Sequence, residues 1–430
     1  MKSAFFVKII LFPLIHQITK SQMRNWQIKL SIFINYFLFA ILLNSVGTVI
    51  LQVQNTYAVT QSSAAILEAF KDLSIAIVSF LIASYITRIG YKNSMLMALI
   101  IVTFACLTMP LMNSFWMTKV LFGAVGASFA LIKVSVYATI GLVTKDKSEH
   151  ISLMNFIESF FMIGIMSSYF IFGWFIDDTN PQSTAWVHVY YLLAGMAVLA
   201  FLLLLFAPID ESFLRNESNE KALGGFQEML KLVVVPVVLV FVASAFIYVL
   251  IEQSIMSWLP TFNSKVLHLP ATLSIQMASI LAASTAVGRF LAGVVLKKVK
   301  WLTVLIICVL LAGTLVLLAL PLAQNLGTEA ITGWSNAPLV AFVFPLIGLV
   351  IAPIYPAINS VILSSLPTRQ HGVMSGLIVI FSALGGTTGS LITGYIFEHY
   401  GGQNAFYFSL IPMTILIICL VFFNKLSEKK

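Results

Sequence analysis

The sequence predicts an all-α membrane protein with twelve transmembrane helices in two six-helix pseudo-repeats, and three observations lead to that prediction. Of its 430 residues, 60 % are hydrophobic and 9 % are charged, and the mean hydropathy is +0.99. A soluble chain carries roughly 25 % charged residues, so this chain has too few polar groups to cover its surface. Apolar runs recur along the whole chain, and one long polar segment near the midpoint leaves six runs on either side.

The apolar runs are the predicted spans, because about 20 apolar residues cross roughly 30 Å of hydrocarbon as a helix. Helices are favoured over a β-barrel, since lipid provides no partner for a backbone amide and the sequence lacks the short alternating strands of a barrel. The predicted spans are 29–51, 63–87, 93–112, 118–143, 151–176, 185–207, 231–257, 272–296, 301–322, 338–364, 372–397 and 403–424.

These spans divide the chain into two bundles with polar segments around them. Residues 1–28 are expected to form a cytoplasmic N-terminal segment, in which Met23 offers an alternative start. The other predicted segments are an N-terminal six-helix bundle at 29–207, a cytoplasmic linker at 208–230, a C-terminal six-helix bundle at 231–424 and a cytoplasmic tail at 425–430.

The basic residues predict the orientation of the chain in the membrane. The net charge is +8, and 20 of the 24 lysines and arginines fall on one side when the N-terminus is placed in the cytoplasm. This asymmetry is the positive-inside pattern, and it predicts that both termini are cytoplasmic. The positive charge therefore reflects orientation, and a nucleic-acid partner is not expected.

The remaining reactive side chains predict neither a cofactor nor a metal site. Cys106, Cys308 and Cys419 each stand alone in an apolar span, and the six histidines form no cluster in the sequence. The sequence also shows no nucleophile–base set and no glycine-rich phosphate loop. Neither an enzyme nor a nucleotide-driven pump is expected.

An internal repeat supports the division into two halves. Gly173 and Asp177 close the fifth span with three residues between them, and Gly394 and Glu398 close the eleventh span in the same way, 221 positions later. Such an offset is expected of a duplicated unit. Six spans plus six with a cytoplasmic linker are typical of secondary transporters that rock one half against the other.

Two loop motifs indicate a family. In ASYITRIGYK (83–92), Arg88, Gly90 and Lys92 match the usual Gly-x-x-x-Asp-Arg-x-Gly-x-Lys/Arg motif, although its acid and first glycine are replaced. The second copy, GRFLAGVVLKK (288–298), keeps Gly288 and Arg289. On these residues the chain resembles the major facilitator superfamily over 28–424. The resemblance implies a gating role for the five matching residues, and the missing acid puts the usual gating charge pair in doubt.

Three further stretches resemble one branch of that superfamily. YVLIEQSIMSWLPTF (248–262), PIYPAINS (353–360) and GLIVIFSALGGTTGSLITGYIFEHYG (376–401) are similar to spans 7, 10 and 11 of the fucose:proton symporter and TsgA-like group. That resemblance implies transport of a sugar or related metabolite together with protons.

Charged residues inside spans are candidates for function, because each costs at least about 2.5–3.5 kcal/mol on insertion scales. Glu68, Lys71 and Asp72 stand at i, i+3 and i+4 of one predicted helix, so they share one side of it. Two interpretations stay open. The three charges form a structural clamp between helices, or Asp72 or Glu68 is a titrating coupling group.

A second pair joins spans 4 and 5. The hairpin between them is expected to bring Lys133 and Glu158 to the same depth, where they can pair. The pair is either a proton switch or a static structural contact. The fucose-type branch carries an acid near the place of Lys133, so recognition of an anionic solute by this lysine is also open.

Four polar candidates and one aromatic complete the predicted site. Glu252 matches the acid of the branch's span-7 motif, and Gln253 beside it can bind a hydroxylated ligand. Asn35 and Asn359 stand on spans that line the cavity in this superfamily, and each either bonds helices together or contacts the solute. Trp258 either stacks on a sugar ring or belongs to an interfacial aromatic belt.

Taken together, these features predict a secondary active transporter that moves a small polar solute, a sugar or related metabolite, by alternating access with proton symport. The expected partners are that solute, protons and the lipid bilayer of a bacterial inner membrane, around a monomer. Alternatives are an exporter, an organic-anion carrier or a transporter-like sensor that binds without transport.

Overall fold

The computed structural model describes residues 26–83, 86–144, 147–209, 211, 231–296, 298–323, 331–365 and 371–427. The predicted N-terminal segment before Trp26, including Met23, nearly all of the linker and the end of the tail lie outside these ranges. Within them the chain forms helices and short connections, with no strand.

Twelve long helical segments follow one another in the described ranges. They are α1 (Trp26–Asn44, continued by Val46–Tyr57), α2 (Gln61–Ala83), α3 (Tyr91–Met112), α4 (Phe115–Val143), α5 (Lys147–Gly173), α6 (Val189–Phe206), α7 (Pro236–Met256, continued by Leu259–Lys265), α8 (Ala271–Val295), α9 (Trp301–Leu322), α10 (Leu339–Val343, Ile347–Ile351 and Ile354–Ser365), α11 (His371–Tyr400) and α12 (Leu410–Ser427).

Eleven of these segments are long and apolar enough to cross a membrane. The exception among the described helices is α2, which has 23 residues but carries Glu68, Lys71 and Asp72. Large apolar side chains cover the outside of the bundle, among them Phe104, Trp116 and Phe206. Such a surface is stable in lipid and not in water, so the chain is an integral, multi-pass membrane protein.

Three of the segments are interrupted, and two of the breaks meet. A turn at Ser45 divides α1, and a turn at Ser257 and Trp258 divides α7. The two breaks meet, because a Cβ atom added at Gly47 would lie 2.8 Å from the carbonyl oxygen of Ser257. The third interrupted segment is α10, which turns at Pro353 because proline cannot continue the hydrogen bonding of a helix.

Three helix pairs join α1–α6, here the N-half, to α7–α12, the C-half. They are α2 with α11, α5 with α8 and, beyond their breaks, α1 with α7. Helix α2 lies between α4 and α11 and can approach both closely, since Gly126 faces the Lys71 carbonyl and Gly394 faces Ala65 and Gln61. The end of the bundle at which α1 ends and α2 begins is called the distal end below.

Candidate functional site

The three charges of α2 form one buried cluster. The Lys71 ammonium pairs with the Glu68 carboxylate and lies 3.4 Å from Oδ1 of Asp72. Exposure of the three residues is 0 %, 5 % and 7 % for Glu68, Lys71 and Asp72. Two carboxylates and one ammonium leave one net negative charge when all three are ionised. The spacing in the sequence therefore predicted the grouping that the structure has.

This α2 cluster lies against the C-half. The Ser257 hydroxyl, at the break in α7, donates a hydrogen bond of 2.7 Å to Oε2 of Glu68. The same hydroxyl lies 3.3 Å from Oε1 of Gln253. On α11, a Cβ atom added at Gly386 would lie 2.5 Å from Oδ2 of Asp72. The cluster thus sits where α2, α7 and α11 meet, so movement of one half against the other changes its surroundings.

In the N-half, two tyrosines and a glutamate form a second group, named here the N-tyrosine group. The rings of Tyr36 on α1 and Tyr137 on α4 have centroids 6.3 Å apart. The Tyr137 hydroxyl donates a hydrogen bond of 2.8 Å to Oε1 of Glu158. Phe129 and Phe161 pack against the Tyr36 ring.

The predicted ion pair between Lys133 and Glu158 is not formed. The ion pairs of the described residues do not include Lys133, whose ammonium lies 5.9 Å from the centroid of the Phe129 ring. The hydrogen bond from Tyr137 to Glu158 places Lys133 within about one helical turn of the depth of Glu158. Tyr137, one turn further along α4 than Lys133, has taken the place of the lysine as the partner of Glu158.

The C-half repeats this arrangement in a C-tyrosine group. Tyr248 on α7 stacks on Tyr355 on α10, with centroids 5.6 Å apart and 21° between the planes. The Tyr248 hydroxyl donates a hydrogen bond of 2.8 Å to Oε1 of Glu252, and Tyr355 and Ser382 share one of 2.9 Å. In both halves, therefore, the first and fourth helices supply a tyrosine pair and one tyrosine binds a glutamate.

Arg289 contacts the opposite half. Its Nη1 atom lies 3.9 Å from the sulfur of Met162 on α5. The residue is exposed, and its guanidinium lies between α8 and α5. Gly288 beside it has a packing role, because a side chain there would overlap the Leu349 carbonyl of α10.

Two of the predicted ligand contacts are used for packing instead. Trp258 is fully buried at the α7 break, where its indole NH donates to Ser390 at 3.1 Å and its ring packs on Phe397. Neither sugar stacking nor a place in an interfacial belt fits that position. Asn35 is also fully buried, and its amide donates to the Ser31 carbonyl at 2.7 Å.

The other two predicted amides have different surroundings. Gln253 is half-buried and belongs to the surroundings of the α2 cluster through Ser257. Asn359 is half-buried one turn along α10 from Tyr355, and its Oδ1 has no hydrogen-bond partner among the described residues. Asn35 and Asn359 therefore each keep a buried carbonyl oxygen without a partner among the described residues, and that of Asn359 lies near the C-tyrosine group.

The loop motif after α2 holds the N-half together. Gly90 has φ of +88°, a conformation that favours glycine, and a Cβ atom there would lie 2.5 Å from Oε2 of Glu211. The Lys92 amide donates to Oε1 of Glu211 at 2.7 Å, and its ammonium donates to the Ala207 carbonyl at 2.7 Å. Glu211 was not anticipated from the sequence. The Arg88 side chain lies outside the described part of the chain.

At the distal end, each half caps a helix of the other. The Ser62 amide at the start of α2 donates to Glu398 of α11, and the Thr272 amide at the start of α8 donates to Asp178 after α5, both at 2.9 Å. The repeated Asp177 has a local role, since its Oδ1 accepts from the Thr179 hydroxyl at 2.6 Å. Bonds from Thr179 lower the pKa of the Asp177 carboxyl.

The repeated glycines explain why these caps can form. A Cβ atom at Gly173 would lie 3.2 Å from Nε2 of Gln276 on α8, and one at Gly394 would lie 2.8 Å from Cβ of Ala65 on α2. Each glycine therefore lets its helix approach the helix that is capped. The sequence repeat predicted the symmetry, although the capping acid of the N-half is Asp178 and not Asp177.

An apolar groove elsewhere in the molecule lacks groups suited to a polar solute. It has a volume of about 600 Å³ and runs between α1 and α5. It is lined by Trp26, Lys29, Leu30, Phe33, Ile34, Phe37, Leu153, Phe156 and Phe160. The chemistry of a polar site is instead concentrated in the α2 cluster and the two tyrosine groups.

Comparison with protein families gives a match over nearly the whole chain. The profile of the Major Facilitator Superfamily matches residues 31–388 and 326–430. A search of curated protein sequences finds no match.

Comparison with solved structures shows the same fold at low sequence identity. An inward-facing, occupied bacterial homologue of the human lysosomal transporter Spinster is 15 % identical with a TM-score of 0.71, over 93 % of this chain and 96 % of that one. The inward-open xylose transporter XylE from E. coli is 13 % identical with a TM-score of 0.71, over 92 % and 96 %. The E. coli fucose:proton symporter FucP is 14 % identical with a TM-score of 0.58, over 92 % and 98 %.

Proposed function

The chain belongs to the major facilitator superfamily of membrane transporters, which are not enzymes, and from that premise we propose that it is a secondary active transporter. It moves a small polar solute by alternating access, and protons accompany the solute. The likeness to solved transporters, at low identity, supports the fold alone. The substrate and the coupling ion therefore follow from residues of this chain.

We propose twelve spans with both termini in the cytoplasm. Helix α2 is counted as a span in addition to the eleven apolar ones, since its charges lie at a helix contact and not in lipid. The positive-inside distribution supports the orientation, which makes the distal end the outer one. A monomer in a bacterial inner membrane agrees with these features.

The observation that carries the proposed proton coupling is the α2 cluster. Its single net negative charge is buried where the halves meet, and one proton on Asp72 or Glu68 would neutralise it. Through Ser257 the cluster contacts α7 beside Glu252, a member of the C-tyrosine group. Protonation and solute binding therefore act on the same helix. A potential of −100 mV supplies about 2.3 kcal/mol per proton carried.

Two classes of solute are compatible with these residues. A sugar or related metabolite follows from the resemblance of α7, α10 and α11 to the fucose-type branch. An organic anion is favoured by Lys133, an ammonium within the bundle that has no ion-pair partner among the described residues. The direction of transport, uptake or export, depends on which gradient the protein uses.

The test is a transport assay with purified protein in liposomes that contain a pH-sensitive dye. Sugars and organic acids are added outside to vesicles with wild type, Asp72→Asn, Glu158→Gln and the control Asp177→Asn. We expect a solute-dependent pH change in wild type and Asp177→Asn that is lost in Asp72→Asn. Solute movement without any pH change, equal in all four proteins, would contradict proton symport and make the α2 cluster a structural clamp.

A further inference from the structure

Two cations from opposite halves approach the same turn of α5. The Arg289 guanidinium of α8 contacts Met162, and Lys133 of α4 lies one turn from Tyr137, whose hydroxyl binds Glu158. Residues 158 and 162 are four apart on α5, so they share one face and differ by about 6 Å along the axis. The two cations therefore approach this face of α5 from opposite halves.

Neither cation has a carboxylate within ion-pairing distance in the described part of the chain. The Lys133 ammonium has the Phe129 ring at 5.9 Å, and Arg289 has the Met162 sulfur at 3.9 Å, which is a weak acceptor. Arg289 is exposed and Lys133 is partly buried, so both cations are accessible to a ligand. The missing carboxylate partner points to an anionic ligand.

The two glutamates nearby are held by other donors. Tyr137 donates to Glu158, and Tyr248 donates to Glu252, each at 2.8 Å. Both tyrosines are fixed by rings packed against them, Tyr36 and Tyr355. This arrangement keeps the carboxylates at their tyrosines and leaves the cations free to bind another anion.

The site is also poor in the groups that bind sugars. Asn35 and Trp258 are buried and bonded within the protein, and the Gln253 amide oxygen lies beside the Ser257 hydroxyl. The Asn359 carbonyl oxygen is buried without a partner among the described residues, as is that of Asn35. So few amides beside aromatic walls fit a compact, partly apolar solute better than a polyhydroxylated one.

We infer that Lys133 and Arg289 form a subsite for an anionic group of the solute, a carboxylate or a phosphate, shared between the two halves. The inference rests on the proposed transport function and names its substrate class as organic anions. Since each half provides one cation, the anion neutralises both and favours their approach, which is the step that encloses a solute.

The test measures binding to the full-length protein in detergent, so it does not depend on transport. The probes are lactate, succinate and glucose 6-phosphate, each paired with its neutral counterpart, lactamide, succinamide and glucose. Binding is followed by the rise in melting temperature and by calorimetric titration. The variants are Lys133→Met and Arg289→Met, with Lys133→Arg and Arg289→Lys as conservative replacements.

Lys119→Met is the matched control, because Lys119 lies on the same helix near the distal end, over the Phe115 ring. We expect at least one anion to bind while its neutral counterpart does not. Each methionine variant should weaken that binding by about 10- to 100-fold, the loss of a charge-assisted hydrogen bond, whereas Lys119→Met should bind as wild type. The conservative variants should recover part of the affinity. Unliganded melting temperatures close to wild type establish that the variants fold.

Three outcomes would overturn the inference: no binding of any anion, equal binding of the neutral counterparts, or unchanged anion binding in both methionine variants. Transport of a neutral sugar in liposomes with no anion binding would keep the proposed function and reject the anionic subsite. Anion binding that needs both cations, in a protein that moves nothing across the membrane, would keep the subsite and reject transport.

Discussion

The Ser62 amide at the start of α2 donates a hydrogen bond of 2.9 Å to the carboxylate of Glu398, in the last turn of α11. The first amides of a helix lack partners within the helix, and its N-terminus attracts negative charge. The Thr272 amide at the start of α8 donates to Asp178 in the same way. Each half therefore supplies the anion that the other half requires, and both bonds form only when the distal end is closed.

Removing both caps is expected to favour opening of the distal end. In Asp178→Asn/Glu398→Gln the side chains keep their size but lose the charge that binds the two helix N-termini. Spin labels on α2 and α11 near the distal end should show a larger population at long distance in this variant. The control Asp177→Asn, whose carboxylate binds Thr179 within its own loop, should keep the wild-type distribution. An unchanged distribution in the double variant would show that the glycine contacts alone close this end.

The helices could be predicted from the sequence because the thickness of the hydrocarbon core sets both the length of a spanning helix and the length of the apolar run that forms it. The α2 cluster was predictable for a related reason, since i, i+3 and i+4 spacing places side chains on one face in any helix. Depth across a hairpin was predictable to within about one turn, since Glu158 bonds Tyr137, which lies one turn from Lys133.

Rotation of one helix about its axis relative to another was not predictable, and it decides which neighbour forms the bond. Tyr137 lies one turn from Lys133, and it binds Glu158 in place of the lysine. The expectation for Trp258 was wrong for a similar reason, because the break in α7 turns its ring toward α11. One sequence feature indicates the tyrosine groups: a tyrosine stands on the first and on the fourth helix of each half.

Close packing of α7 on α11 is expected to depend on two glycines. A side chain at Gly385 would overlap the Phe246 carbonyl, and one at Gly389 would overlap the Leu250 carbonyl. Gly385→Ala and Gly389→Ala should each cost about 1–3 kcal/mol, because backbone atoms cannot move aside easily. The measurement is the apparent melting temperature of the purified protein.

Gly293→Ala is the control for these two variants. No atom lies within 4 Å of a Cβ added at Gly293 in α8, so alanine there should be neutral or should stabilise the helix by about 0.5–1 kcal/mol. Equal effects of all three substitutions would mean that the α7–α11 contact does not limit stability.

The hydrogen bond from Tyr137 is expected to keep Glu158 away from Lys133. Without that hydroxyl, the Glu158 carboxylate needs another partner, and Lys133, one turn away on α4, is the cation that can reach it. Tyr137→Phe should therefore lower the affinity for an anionic probe by roughly tenfold through an internal ion pair. Tyr137→Phe/Glu158→Gln should recover the affinity, because the competing carboxylate is gone. If the single and double variants bind alike, Tyr137 acts only through its ring.

Lys71 is expected to be the residue on which the stability of the α2 cluster depends most. Lys71→Met would leave Glu68 and Asp72 as two buried carboxylates without a cation, and breaking a buried pair costs about 3–5 kcal/mol. Glu68→Gln/Lys71→Met should recover much of this loss, since one carboxylate remains and the glutamine can still accept from Ser257. Melting temperatures and yields of the four combinations at these two positions measure the coupling. Additive losses would show that the charges act independently and that the short contact between them contributes little.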